Sequence, residues 1–273
     1  MDSKLVTYMS DGPIGIVTLN RPEKLNAINT EVRGAIGDRL READADPATS
    51  VVVLRAEGRS FCVGYDISPA DPAKAAWRHD ALRWHASLAE DVAMEMTPWE
   101  MKKPVIASVQ GHVLGGGCEL VMLCDLTVAA DNALFGEPEI RFSNVGPALV
   151  MPFIIGLKRA RELLYTGDMI DAKTALEMGM VNRVVPLAEL PAATMKFARR
   201  VALIAPESLA FTKLATRRGA EAAGFRNAIQ AGLDVVAPLY AARTAVGMKF
   251  QEIKEKEGLV AALRWRAAQF AAE

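Results

Sequence analysis

Short runs of Val and Ile alternate along the chain with longer stretches of helical period. Ile14 to Leu19, Val51 to Leu54, Val105 to Val109, Leu126 to Ala129 and Val181 to Val185 are each bounded by Gly, Pro, Asn or Asp, and the pattern predicts a strand in each. Between them, Glu31 to Ala43, Ala73 to Met96, Glu119 to Cys124, Lys158 to Tyr165 and Ala172 to Met178 read as helices, the last two stopping near Gly167 and Gly179. Strands that alternate with helices pair in parallel through crossovers, so the fold class is α/β. From about Leu187 the strand signals cease and Ala-rich helical patterns follow, broken at Pro206, around Gly219 to Gly224 and at Pro238. These helices have apolar faces and no sheet to cover. They pack either on their own domain or on a neighbouring subunit, and a homo-oligomer is the expectation.

With 273 residues, 51% of them hydrophobic, the chain can bury one large core with a smaller appendage. Its 32 Lys and Arg nearly balance 33 Asp and Glu, so no global field draws in nucleic acid or an acidic membrane, and an anionic ligand must be met by a local cluster. Cys62, Cys118 and Cys124 have neither C-x-x-C spacing nor histidines at ligand distance, which argues against a disulfide framework and against a metal site. The first ten residues carry no apolar run of signal-peptide length. The most apolar window, Val145 to Leu157, is too short for a bilayer and contains Pro147 and Pro152. A cytoplasmic protein is expected.

Two glycine loops follow predicted strands. Gly111-His112-Val113-Leu114-Gly115-Gly116-Gly117 leads into an apolar helix from about Cys118, and the free N–H groups of such a helix start can donate to a developing negative oxygen. A tight helix entry with no ligand explains the glycines equally well. The second loop, Gly58 to Ile67, follows the Val51 strand, and in a parallel sheet both loops gather at the same edge. Cys62 within it lies between apolar neighbours with no histidine partner, the setting of a structural cysteine rather than a nucleophile. Glu119 stands in the first turn of the helix, either beside a bound ligand or simply interacting with the helix dipole. Glu139 follows Pro138 in an apolar stretch, either turned into a site or facing water.

These residues resemble the enoyl-CoA hydratase/isomerase (crotonase) superfamily. Asn20-Arg21-Pro22-Glu23-Lys24-Leu25-Asn26-Ala27-Ile28, FCVGYD at 61 to 66, GHVLGGGCEL at 111 to 120, Cys124-Asp125, Phe135-Gly136-Glu137-Pro138-Glu139, Leu164 to Asp168 and Gly179 to Asn182 follow the family's order and spacing across nearly the whole chain. The resemblance implies a crotonase-like spiral of ββα units over residues 1–200 that holds the acyl-CoA site. A helical C-terminal region, 201–273, would serve oligomerisation and part of the CoA pocket, in a homotrimer or dimer of trimers. It implies that the backbone N–H groups of Tyr65 and Gly116 hold the thioester oxygen and that Glu119 and Glu139 move the protons of hydration. Lys24, Val63, Asp66 and Ile67 would line the CoA path. CoA is then part of the substrate, and no separate cofactor is implied.

Two stretches depart from the family pattern. Val145-Gly146-Pro147-Ala148-Leu149 stands where a Pro-Gly-Ala-Gly-Gly turn is usual, so Pro147 and Leu149 bring bulk that is expected to narrow or redirect the acyl cavity. In the closing motif Glu257 to Arg266, Ala262 and Trp265 replace an aromatic and a lysine, with Arg264 and Arg266 as substitutes or as solvated charges. His79, His85 and His112, with Trp77 and Trp84, are read as packing or pocket walls. The expectation is an enoyl-CoA hydratase of fatty-acid type. The competing readings are a Δ3,Δ2-enoyl-CoA isomerase or other thioester-processing relative using one glutamate, and a non-catalytic RNA-binding protein of the same fold, against which the neutral charge argues.

Overall fold

The computed structural model describes residues 4–67, 76–242 and 244–271. A six-stranded sheet in the order β1-β2-β3-β4-β6-β9 forms its centre. The strands are β1 (Val6–Asp11), β2 (Ile14–Leu19), β3 (Val51–Ala56), β4 (Val105–Val109), β6 (Leu126–Ala130) and β9 (Arg183–Val185). Apart from β1, which runs antiparallel to β2, neighbouring strands are parallel. A smaller sheet in the order β5-β7-β8 contains β5 (His112–Leu114), β7 (Leu134–Gly136) and β8 (Ile170–Asp171).

The helices are α1 (Thr30–Ala45), α2 (Ala81–Glu95), α3 (Thr97–Glu100), α4 (Gly116–Met122), α5 (Met151–Ile155), α6 (Leu157–Thr166), α7 (Ala172–Met178), α8 (Leu190–Val201), α9 (Pro206–Ala222), α10 (Phe225–Ala241), α11 (Ala245–Glu257) and α12 (Leu259–Ala268). The chain passes from the large sheet to the small one and then into a helix, as in β4-β5-α4, which is the repeating ββα unit of a spiral. Among the described residues no helix is long and apolar enough to cross a membrane.

The central strands read as continuous apolar runs because both faces of the sheet are covered. One face packs Val17, Leu54, Ala107 and Ala129 against α1 and α4, while the other sets Ile16, Val53, Ile106 and Val128 against Leu190 and Ala198 of α8. Local signals fix the helix ends. Asn29 accepts from the Val32 N–H at 2.9 Å, Asp171 accepts from Thr174 N–H at 2.7 Å, and α6 and α7 end at Gly167 and Gly179.

Four sequence expectations need correction. The helix read from Ala73 to Met96 is interrupted: Ala76 and Trp77 are helical, residues 78–79 turn, and α2 starts afresh at Ala81, where Asp80 caps it by accepting from Leu82 and Arg83 N–H; residues 73–75 lie outside the described residues. The glycine loop holds the three-residue strand β5, so α4 starts at Gly116 rather than Cys118. The start of the run read as a strand from Val181 lies outside β9, where the Thr127 N–H is taken by the Asn182 side-chain Oδ1 at 2.7 Å. Pro238 does not break the helix: it sits in the last turn of α10, where its missing N–H costs a single i→i−4 bond.

The C-terminal helices are tied to the spiral by a buried cation. Lys213 of α9, 8% exposed, donates to Asp125 Oδ2 at 2.6 Å, to Pro98 O at 2.6 Å and to Lys103 O at 2.9 Å. Asp125 in turn accepts from Val105 N–H at 2.7 Å at the start of β4. Lys213→Met leaves Asp125 without its counter-charge, and we expect a loss of about 3–5 kcal/mol in denaturant unfolding. A loss under about 1 kcal/mol would show that the pair does not hold the two parts together.

Candidate active site

The site forms where the small sheet hands the chain to loops. Single bridges join Cys62 to Val113 and Ile28 to Tyr65, and β5 pairs Val113 with Phe135, so Tyr65, Gly116 and Pro138 each follow a residue of this ribbon by three positions. Asn26 latches the first loop. Buried to 1%, it donates through Nδ2 to Glu57 O and Ser60 O, both at 2.9 Å, while Oδ1 accepts from Arg21 N–H at 2.8 Å. Cys62 donates its thiol to Asn26 O at 3.1 Å, and burial pushes that thiol up to about 12, so it is a structural residue.

Among the described residues, neither the Tyr65 N–H nor the Gly116 N–H has an acceptor. Gly116 opens α4, all of whose residues are buried, so its amide is an orphan donor without bulk water beside it. The glycines here are required by close approach. A Cβ on Gly115 (φ 54°) would lie 1.7 Å from Glu139 Oε1, and one on Gly116 would lie 2.4 Å from Tyr65 Cε2.

Glu119 is fully buried and does more than interact with the dipole of its helix. Its Oε1 accepts from the Ala148 and Leu149 N–H groups, both at 2.9 Å, and its Oε2 has no donor. Burial, and after it the charge of Glu139, pushes its carboxyl upward, while the two amides pull it back. Glu139, in the turn Pro138–Phe142, does not face water as a loop acid would. Its Oε2 is buried without a partner, and burial raises its pKa to about 7.

The departing loop 145–149 thus performs a definite task, presenting two amides to Glu119. Leu149 does so in a left-handed conformation (φ 42°), and its side chain lies against Gly232 of α10. Tyr240 of α10 anchors the same loop by donating to Val145 O at 2.9 Å. Trp84 packs on Tyr240 with ring centroids 5.0 Å apart and on Trp77 at 5.1 Å, a wall of aromatic rings as the sequence predicts. The histidines have other partners: His112 Nδ1 lies 3.3 Å from Ser60 Oγ, His85 Nε2 2.8 Å from Asp234, and His79 Nδ1 3.3 Å from Ala241 O.

Lys24 and Ile67 are exposed and Val63 half-buried; backbone bonds from Val63 N–H to Leu25 O (3.3 Å) and from Asp66 N–H to Ile28 O (2.9 Å) bring these segments together. The Asp66 carboxylate is bonded to Arg21 at 2.7 Å, so it orders the loop rather than reaching outward. In the closing segment, Ala262 is buried beside Phe250 and Ile253 with Trp265 packed on them. Arg266 is not a merely solvated charge, since it donates to Arg141 O, whereas Arg264 is exposed.

Sequence reasoning missed two acids. Glu137 is 2% exposed with both carboxyl oxygens unpartnered, and burial followed by the charges of Glu119 and Glu139 drives its pKa well upward. Glu95 is 0% exposed and accepts from the Tyr65 hydroxyl at 2.6 Å. Its position was readable: Leu88, Asp91 and Glu95 fall at i, i+3 and i+7, which puts an acid on the apolar stripe of α2.

The family model for enoyl-CoA hydratase/isomerase matches residues 10–256. The chain is 34% identical to a crotonyl-CoA hydratase of Syntrophomonas wolfei, over 94% of both chains, and 33% identical to a probable enoyl-CoA hydratase of Mycobacterium bovis, over 99% of both. It superposes on an enoyl-CoA hydratase/isomerase from Xanthobacter autotrophicus Py2 with a TM-score of 0.91 at 34% identity, covering 97% of this chain and 98% of the other. Its ββα spiral is therefore the crotonase fold, and the chain belongs to the enoyl-CoA hydratase/isomerase family.

Proposed function

We propose that the chain is an enoyl-CoA hydratase, a hydro-lyase adding water reversibly across the 2,3 double bond of an enoyl thioester. The observation that carries this reading is the pair of buried carboxyls, Glu119 and Glu139, set against the two backbone N–H groups of Tyr65 and Gly116 that have no other acceptor. The thioester oxygen accepts from both amides, which stabilise the enolate as it forms. One carboxylate removes a proton from water as its oxygen bonds to C3. The other carboxyl delivers a proton to C2, so the water is divided across the double bond and the pair ends with the proton count it began with.

The relatives named as hydratases at about a third identity support the same reaction class. Lys24, Val63, Asp66 and Ile67 belong in this reading to the CoA path, Asp66 through its backbone, and CoA enters only as part of the substrate. Residues 201–273 would join the spiral core of 1–200 to its neighbours in a homotrimer or dimer of trimers.

Activity tests the reading through its pH dependence. Hydration needs one ionised and one protonated carboxyl, and burial raises the pair so that it gives up its two protons at about 7 and about 8. A profile of kcat/KM against pH, taken over short, long, branched and aromatic enoyl-CoA thioesters, is expected to be bell-shaped with its acid limb near the first value and its alkaline limb near the second. A flat profile from pH 5 to 9, or no hydration of any member, would refute it.

A further inference from the structure

The hydration chemistry employs two carboxyls, yet a third acid touches the same place. Glu95 closes α2, and its Oε1 accepts from the Tyr65 hydroxyl at 2.6 Å. That Oε1 would be 2.9 Å from a Cβ on Gly116, so the carboxyl presses on the helix start whose amide is assigned to the thioester oxygen. Glu95 Oε2 and Glu119 Oε2 are both buried without an N–H or hydroxyl donor, and the two carboxyls are within hydrogen-bonding reach of each other. Two buried carboxyls this close repel unless a proton lies between them.

The surroundings say which one keeps it. Glu119 already accepts two amide hydrogen bonds, which favour its charged form. Glu95 faces Glu119 on α4, Asp91 on its own helix, the Tyr65 hydroxyl, and Tyr240 on α10. The nearby cation, Arg33, is bonded to Asp91 at 2.8 Å. Burial, then the charge of Glu119, drives the Glu95 carboxyl well above the usual carboxylate range.

We propose that Glu95 is a positioning residue that stays protonated and donates to Glu119 Oε2, so that Glu119 is held by three donors and the Glu119–Glu139 pair loses its first proton at a lower pH than it would without Glu95. The effect on turnover rests on the hydratase reading of the site, whereas the neutral state of Glu95 does not.

Two variants separate the roles. Glu95→Gln retains a donor for Glu119 and an acceptor for Tyr65, so kcat stays within about threefold and the acid limb of the pH profile does not move. Glu95→Met removes the donor: the acid limb moves up by about one pH unit and kcat falls roughly tenfold with KM little changed. An unmoved limb in Glu95→Met would reduce Glu95 to packing. Equal damage in Glu95→Gln would show that an ionised Glu95 is needed. Either result overturns the proposal.

Thermal melts of wild type and Glu95→Gln from pH 5 to 8 test the proton without turnover. An unfolded glutamate ionises above about 4.5 while the folded Glu95 keeps its proton, so the unfolded state binds fewer protons and wild-type stability falls as pH rises. The Tm of Glu95→Gln relative to wild type is then expected to climb by about 3 °C per pH unit. A constant difference would show Glu95 ionised in the fold and overturn the proposal. If wild type hydrates nothing, the hydratase reading fails while the melts still judge the proton on Glu95.

Discussion

Glu119→Gln is expected to lower kcat for hydration of an enoyl-CoA by about a thousandfold, within the range that a positioned acid or base contributes, with KM changed only a few-fold. The glutamine keeps the volume and still accepts from the Ala148 and Leu149 amides, so the loop that clasps Glu119 stays in place. What disappears is one of the two carboxyls that move the protons of the water. Glu139→Gln is expected to cost a similar factor by removing the other. The double variant should be little worse than either single one, because the two carboxyls act as one unit. Steady-state kinetics on the three proteins check this, and a Glu119→Gln enzyme within tenfold of wild type would remove Glu119 from the chemistry.

Gly116→Ala is expected to lower kcat by about a hundredfold or more. The added Cβ meets the Tyr65 ring at 2.4 Å and the Glu95 carboxyl at 2.9 Å, so either the ring or the helix start must shift. Both backbone donors are affected at once, since the ring that moves belongs to the residue supplying the other N–H. Loss of one such donor costs about 2.7–4 kcal/mol of transition-state stabilisation. Far-UV circular dichroism and the Tm distinguish this from unfolding. Full activity in a folded Gly116→Ala protein would mean that the amide is not aimed at the reacting oxygen.

The strands of the large sheet were legible because they are long enough and apolar enough to stand out, as Val51 to Leu54 and Val105 to Val109 do. The edge strand β1 was missed: only Val6 of its six residues is buried, so its pattern is that of a surface segment. The small sheet escaped for another reason. Its strands have three, three and two residues, and their pairing comes from long-range bridges such as Val113 with Phe135, which no local window contains.

The site divides in the same way. Tyr65, Gly116, Glu119 and Glu139 were marked by motif, and the structure brings the segments that carry them to one place. Glu137 stood in a quoted motif and was passed over, while Glu95 comes from a helix that no motif covered. The roles of Ala148 and Leu149 could not be read at all, because Leu149 stood out only for its bulk and it is the backbone N–H groups of the two that bind Glu119. Backbone function leaves little trace in residue identity.

The central claim, that two glutamates divide one water across a thioester double bond, is tested most directly by turnover of an enoyl-CoA in oxygen-18 water by wild type, Glu119→Gln and Glu139→Gln. The account predicts one labelled oxygen at C3 in the wild-type product and loss of that product in both variants. Conversion without label, or full labelling with either glutamate replaced, would contradict it and move the chain to isomerisation or another thioester reaction of the family.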